Sequence, residues 1–429
     1  MKPPALRWLL LATLLLVVVV VVVLGRSLLS QTRYRPIRVG ILHSQTGTMA
    51  LSESPVLDAT LMAIEEINAA GGVLGRPLEA VIADGKSDET IFAIQAERLI
   101  VEEEVSVVFG CWTSASRKTV RPIFERYQHL LFYPVQYEGL EQSEHIVYTG
   151  TTPNQQILPA VKLCFDNLAA RSFFLVGSDY VFPRTVNTIL RTQINAMGGQ
   201  VAGEAYLELD SQQAEPIVAE IVATQPDFIL NTLNGTSNHA FFSSLRAAGI
   251  TTDDIPTMSF SIAEVELQTM RADQMQGDYA AWTYFQSIAS ERNRGFVNRF
   301  QDRFGRDRVT DDPIEAGYFG VYLWKQAVED AGTDDPDAVR FKVGNQSFPA
   351  PQGIVSIDLQ SHHTWKTLRI GRIRRDGQFD IVWTSDYPVR PITYPIYQSR
   401  EQWEQFLEQM YFDWGKNWSK PIDSERGPP

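Results

Sequence analysis

A chain of 429 residues, 44% hydrophobic and 21% charged, has the balance of an ordered globular protein with material for two or three domains. Its formal net charge of −13 argues against binding nucleic acid, because such proteins concentrate Lys and Arg to displace counterions from phosphates. Two cysteines, Cys111 and Cys164, are too few for a disulfide framework or a zinc site, and both are expected as reduced core residues.

The N-terminus comes first. Lys2 and Arg7 precede the uncharged run WLLLATLLLVVVVVVVLG, Trp8 to Gly25, and Arg26 ends it. At a rise of about 1.5 Å per residue the run reaches roughly 27 Å, the thickness of a hydrocarbon core. An uncleaved anchor is expected; the alternative is a signal peptide cut after Gly25, with Val23 and Gly25 as the small residues before the cut. Basic residues lie on both sides, so charge does not fix the orientation. Residues 1–35 are set aside as this signal or anchor.

After Pro36, short β-branched runs alternate with helical stretches: the strand IRVGILHS, a helix from Asp58 to Ala70, the strand LEAVIAD, a helix from Glu89 to Glu104, then the strand VSVVFG. Parallel strands need helical crossovers and bury both faces, so this rhythm predicts a doubly wound α/β sheet. Gly71 and Gly72, between helix and strand, read as a helix stop rather than a phosphate loop.

The rhythm restarts near residue 158 with a helix over PAVKLCFDNLAA, the strand FFLVGS, a helix from Arg184 to Met197, the strand GEAYLEL, a helix from Gln213 to Thr224 and the strand DFILNTL. Helices follow over Ser290–Phe304 and Ile314–Ala331, then a β-rich stretch from Gly353 to Pro388 with a hairpin at Asp376-Gly377. Two α/β lobes joined without a Gly/Ser-rich linker imply hinge strands and a cleft between them. The expected division is 36–150 with 283–345 for the first lobe and 151–282 with 346–395 for the second. In 396–429, Trp403, Phe406, Leu407, Met410, Tyr411 and Trp414 share one helical face, which packs on the body or docks to a membrane or partner.

No HExxH, GxSxG or P-loop pattern occurs, and the six histidines show no metal-ligand spacing, so no catalytic residue, metal or cofactor is expected. His362 and His363 are read as surface or loop residues. Loops after strands line the crevice of a doubly wound sheet. Here they are CWTSAS, FYPVQYEG, SDYVFPR and NGTSN, rich in aromatic rings and hydroxyls suited to a planar polar solute.

The strings GILHSQTGTMALSE, AIEEINAAGGVLGRPLE, VVFGCWTSASRK, FYPVQYEG, GTTPNQQ, GSDYVFPRT and AAWTYFQS, in this order, resemble the type I periplasmic-binding-protein family, and within it the urea and short-chain amide receptors. The resemblance covers about residues 37–395. It implies a Venus-flytrap fold of two Rossmann-like lobes, no catalysis, an extracytoplasmic location, and delivery of solute to an importer of the ATP-binding-cassette type. By the same resemblance Trp112, Ser114 and Tyr133 contact the solute from the first lobe, Val135 limits the pocket, and Tyr180 and Thr236 face them from the second.

The chain departs from the urea pattern at Thr236 and Val265, where that pattern carries acidic residues; the Gly235-Thr236 pair is shared with amide sensors. Urea or another short amide is therefore the expected ligand. The alternative is a membrane-tethered sensor signalling to a kinase or other membrane partner, and a third reading is an amide hydrolase built on Ser114 and Asp179.

Overall fold

The computed structural model describes residues 13, 14, 16–18, 20, 35–344 and 346–421. Most of the run Trp8–Gly25 and its expected cleavage site lie outside them; among the described residues no helix is long and apolar enough to cross a membrane.

In chain order β1 (Ile37–His43), α1 (Ala50–Ala69), β2 (Leu78–Asp84), α2 (Glu89–Val101), β3 (Val108–Gly110), α3 (Ser114–Arg126), β4 (Leu131–Tyr133) and β5 (Ile146–Tyr148) form a parallel sheet ordered β2-β1-β3-β4-β5. Every residue of β1 except Arg38 is buried, as a strand covered on both faces requires. Helix α1 starts at Ala50, ahead of the expected Asp58. The intervening Ser52, Glu53, Ser54 and Pro55 read as loop by composition, but burial of Ser52, Glu53 and Val56 overrides that preference. The helix stops as expected: Gly72 adopts φ 77°, and its N–H donates to the carbonyl of Ile67 at 2.9 Å. A Cβ there would fall 2.0 Å from the carbonyl oxygen of Arg76.

The second lobe follows with α4 (Ile157–Asn167), β6 (Ser172–Ser178), α5 (Val181–Ala196), β7 (Gln200–Leu207), α6 (Glu215–Thr224), β8 (Phe228–Thr232), α7 (Ser237–Ala247), β9 (Thr257–Ser259), α8 (Glu264–Thr269), α9 (Ala272–Met275) and β10 (Tyr279–Trp282). The chain then returns to the first lobe through α10 (Glu291–Phe304), α11 (Asp312–Ala331) and α12 (Pro336–Arg340). There α11 lies along α1, and Phe296, Phe300, Phe319 and Trp324 enter the first lobe's core.

Residues 346–365 depart from the expected division. They form an antiparallel sheet of β11 (Ser347–Ala350), β12 (Gly353–Ile357) and β13 (Thr364–Trp365), whose Ala350, Val355 and Ile357 complete the first lobe's core rather than the second's. The chain then crosses back: β14 (Arg369–Ile373) and β15 (Phe379–Thr384) make the hairpin expected at Asp376-Gly377 and extend the second sheet, giving the order β15-β14-β10-β9-β8-β6-β7. Finally α13 (Arg400–Asp413) inserts Trp403 and Leu407 into the second lobe's core, so its apolar face packs on the body.

Three crossings join the lobes, near Thr149, Thr283 and Lys366, and one buried ion pair ties them together. Lys366 Nζ lies 3.2 Å from Asp312 Oδ1 and donates to the Thr149 carbonyl at 3.1 Å. The other oxygen of Asp312 accepts from the Thr283 and Tyr284 backbone N–H groups at 2.9 Å each and from the Thr283 hydroxyl.

Candidate functional site

The carboxyl ends of both sheets face each other across the crossings, where an open α/β sheet places its ligand crevice. On the first lobe, β3 ends at Gly110, Cys111 and Trp112 follow, and Thr113 caps α3, its Oγ1 accepting the Ser116 N–H at 3.0 Å. This turn presents Trp112 and Ser114. From β4, the Tyr133 hydroxyl donates to the Trp112 carbonyl at 2.6 Å, fixing ring and turn together, while Val135 packs in the same core. Trp112, Ser114, Tyr133 and Val135 are thus brought together and are all buried.

Beneath them lies a charged network that the expected site did not include. The Ser114 hydroxyl donates to Glu138; Arg117 reaches Glu138 at 3.1 Å and Glu141 at 2.9 Å; Lys118 lies 3.4 Å from Glu138 and 3.1 Å from Glu141. Burial alone would lower the Arg117 pKa, but the carboxylates of Glu141 and Glu138 hold it well above its ordinary value. Burial would raise that of Glu141, but Arg117, Lys118 and Arg121 hold it well below the carboxylate range. Each charge is therefore fixed by its partners. The Arg117 guanidinium also lies 4.8 Å from the Tyr133 ring centre and 4.4 Å from that of Tyr137. The sequence carried a signal for this network: two cations one helical turn past Ser114, and two carboxylates three residues apart after Tyr137.

Tyr137, in the FYPVQYEG loop, turns into the core. Its ring stacks on Tyr148, which stacks on His363 at 4.0 Å, and its hydroxyl meets His363 Nε2. His363 is fully buried, correcting the surface reading, and burial pushes its pKa down to about 3. It is a neutral ring of the core. Cys111 and Cys164 are free and buried, as expected of core thiols.

On the second lobe, Tyr180 ends the loop after β6, is buried, and shares an apolar cluster with Ala115 of the first lobe. Thr236 is half-buried, and its hydroxyl donates to Asp210 Oδ1 at 2.7 Å. The loop after β9 meets the first lobe directly: Gln136 Nε2 donates to the Phe260 carbonyl at 3.2 Å, across the cleft. Gln136 Oε1 and the hydroxyl of the next residue in that loop, Ser261, are buried without a hydrogen-bond partner. Ser52 of α1 also donates across the lobes, to Glu266 Oε1 at 2.8 Å.

No nucleophilic pair forms at Ser114. Its hydroxyl is committed to Glu138, and Asp179 pairs instead with Arg184 at 2.7 Å and Lys420 at 3.4 Å. Among the described residues no group of three or more His, Cys, Asp or Glu side chains is placed to hold a metal ion.

Comparison with known proteins matches this architecture. The periplasmic binding protein domain pattern covers residues 37–400. The leucine-, isoleucine-, valine-, threonine- and alanine-binding protein of Pseudomonas aeruginosa is 23% identical over 359 residues, 75% of this chain and 86% of that protein. A limonene hydroxylase from Geobacillus stearothermophilus is 33% identical over 140 residues, but these are 31% of this chain and only 26% of that protein, about a quarter of its length.

Among solved structures, a solute-binding protein of an ABC transporter from R. palustris, in complex with 4-hydroxybenzoate, superposes with a TM-score of 0.74 at 22% identity, covering 83% of this chain and 98% of that one. The branched-chain amino acid transporter substrate-binding protein of Streptococcus pneumoniae, in complex with isoleucine, gives a TM-score of 0.72 at 18% identity, covering 82% and 99%. Matched over residues 37–400 and built of two α/β lobes with a cleft between them, the chain belongs to the type I periplasmic binding protein family, as a solute-binding receptor.

Proposed function

We propose that this receptor closes on a small, uncharged, N–H-bearing solute, urea or a short-chain amide, outside the cytoplasmic membrane and presents it to an ABC-type importer. The observation that carries the reading is the saturated charge of the first-lobe wall. Binding a carboxylate, as in the 4-hydroxybenzoate and isoleucine complexes, calls for free donors. Here Arg117 and Lys118 are matched by Glu138 and Glu141, the Ser114 hydroxyl is committed to Glu138, and Thr113 caps α3. A carboxylate entering beside Glu138 would meet a like charge.

The unpartnered groups favour a neutral donor. Gln136 Oε1 is an acceptor and the Ser261 hydroxyl can accept or donate, which suits an amide with both N–H groups and a carbonyl. Trp112 and Tyr180 supply the flat apolar surfaces from opposite lobes. The uncharged run Trp8–Gly25 supports tethering to the membrane as part of the same proposal.

Calorimetric titration of the purified chain with urea, acetamide, formamide, isoleucine and 4-hydroxybenzoate tests it. Saturable binding of a member of the first three is expected, with none of the two acids. Preferential binding of either acid overturns the assignment.

A further inference from the structure

The residues after α13 do more than end the chain. From Trp414 the backbone turns back along the loop after β6, and the Trp418 carbonyl accepts the Val181 N–H at 2.9 Å. Ser419 pairs with Tyr180 as an antiparallel bridge, and Lys420 Nζ lies 3.4 Å from Asp179. With Trp403 and Leu407 in the second lobe's core, this segment is a fixed part of that lobe.

Its side chains reach the other lobe. The Ser419 hydroxyl donates to Glu89 at the start of α2, and the Trp418 ring centre lies 4.9 Å from Lys118 Nζ on α3. Tyr411 packs against that indole at 4.5 Å and holds its face toward the ammonium. Lys118 is the same cation that pairs with Glu138 and Glu141, and Tyr180 is the second-lobe ring of the cleft. The segment therefore spans the rim of the cleft, with backbone bonds on one lobe and, among the described residues, side-chain contacts from Trp418 and Ser419 to the other.

We propose that Trp418 and Ser419 form a closure strap: carried on the second lobe, they clasp Lys118 and Glu89 of the first, bias the lobes toward the closed state and slow the escape of solute. The strap rests on the reading of the cleft as the solute site, but the closure itself can be measured without solute. Trp418 and Ser419 are half-exposed, so water replaces their side of each contact when the lobes part, and the strap shifts the open–closed balance without welding it.

The test uses the full chain with spin labels at Ile94→Cys on α2 and Asn195→Cys on α5, the native Cys111 and Cys164 being buried. Without solute, the parent chain should give one short interlobe distance, and the Trp418→Ala/Ser419→Ala variant should add a longer one while keeping its unfolding midpoint. Trp418→Phe, which retains an aromatic face for Lys118, should restore the short distance in the Ser419 background. For whichever of urea or acetamide binds, its dissociation should be about tenfold faster from the double variant, the loss expected for one cation–π and one charge-assisted hydrogen bond. Superimposable distance distributions for parent and double variant would overturn the strap. If neither solute binds the parent, the solute assignment fails while the distances still decide the strap.

Discussion

The hinge and the rim hold the same two lobes together by opposite means. At the hinge, Lys366 and Asp312 are fully buried and their polar atoms are bonded to all three crossings. At the rim, Trp418 and Ser419 stay half-exposed and touch the first lobe through two side chains. A buried ion pair is costly to desolvate, and once formed it cannot lose a partner without stranding a charge. A half-exposed contact loses little, because water replaces what it gives up. The lobes are thus fixed where they must pivot and weakly clasped where they must part.

Breaking the hinge should have the largest effect. Lys366→Met removes the cation but leaves Asp312 buried, so unfolding in guanidinium, chosen because urea is a candidate ligand, should show a loss of about 3–5 kcal/mol. A loss below 1 kcal/mol would mean that water reaches the node and that hinge and rim do not differ in kind.

Acidity sharpens the comparison. Burial pushes Glu264, beside the crossings, up to about 8 from an ordinary 4.5, and Glu315 up to about 7. The native protein then keeps protons that the unfolded chain gives up above pH 4.5. Each such group contributes stability that is lost as pH rises from 4.5 toward its native pKa, at up to about 1.4 kcal/mol per pH unit. The unfolding midpoint should fall between pH 5.5 and 8, and Glu264→Gln, which cannot ionise, should flatten that slope. An unchanged slope in the variant would place the titration elsewhere.

The smallest effect is expected at Thr236. Thr236→Val removes a half-buried hydroxyl bonded to Asp210, at a cost of about 1 kcal/mol, and should leave solute affinity within about twofold. A large loss of affinity would mean that Thr236 contacts the solute.

Much of this was legible in the sequence because it is encoded locally. The strand runs, the glycine stop after α1 and the Asp376-Gly377 hairpin are short-range patterns of periodicity and turn chemistry. The strings around Trp112, Ser114, Tyr133 and Tyr180 identified the loops at the crevice by resemblance. Residues that act by pairing across the fold escaped: Glu138 and Glu141 were not singled out, His363 read as a surface or loop residue, and residues 346–365 as part of the second lobe.

The sequence by itself determined two α/β lobes, their strand and helix order, and the loops at the carboxyl ends of their strands, since each follows from the period of apolar residues and the chemistry of turns. Only the tertiary structure decided which charges neutralise one another beneath Ser114, which lobe receives the small sheet, and where the chain beyond α13 crosses the rim. Those outcomes depend on contacts between residues hundreds of positions apart, such as Glu89 with Ser419 and Thr149 with Lys366, and no local pattern records such a pairing.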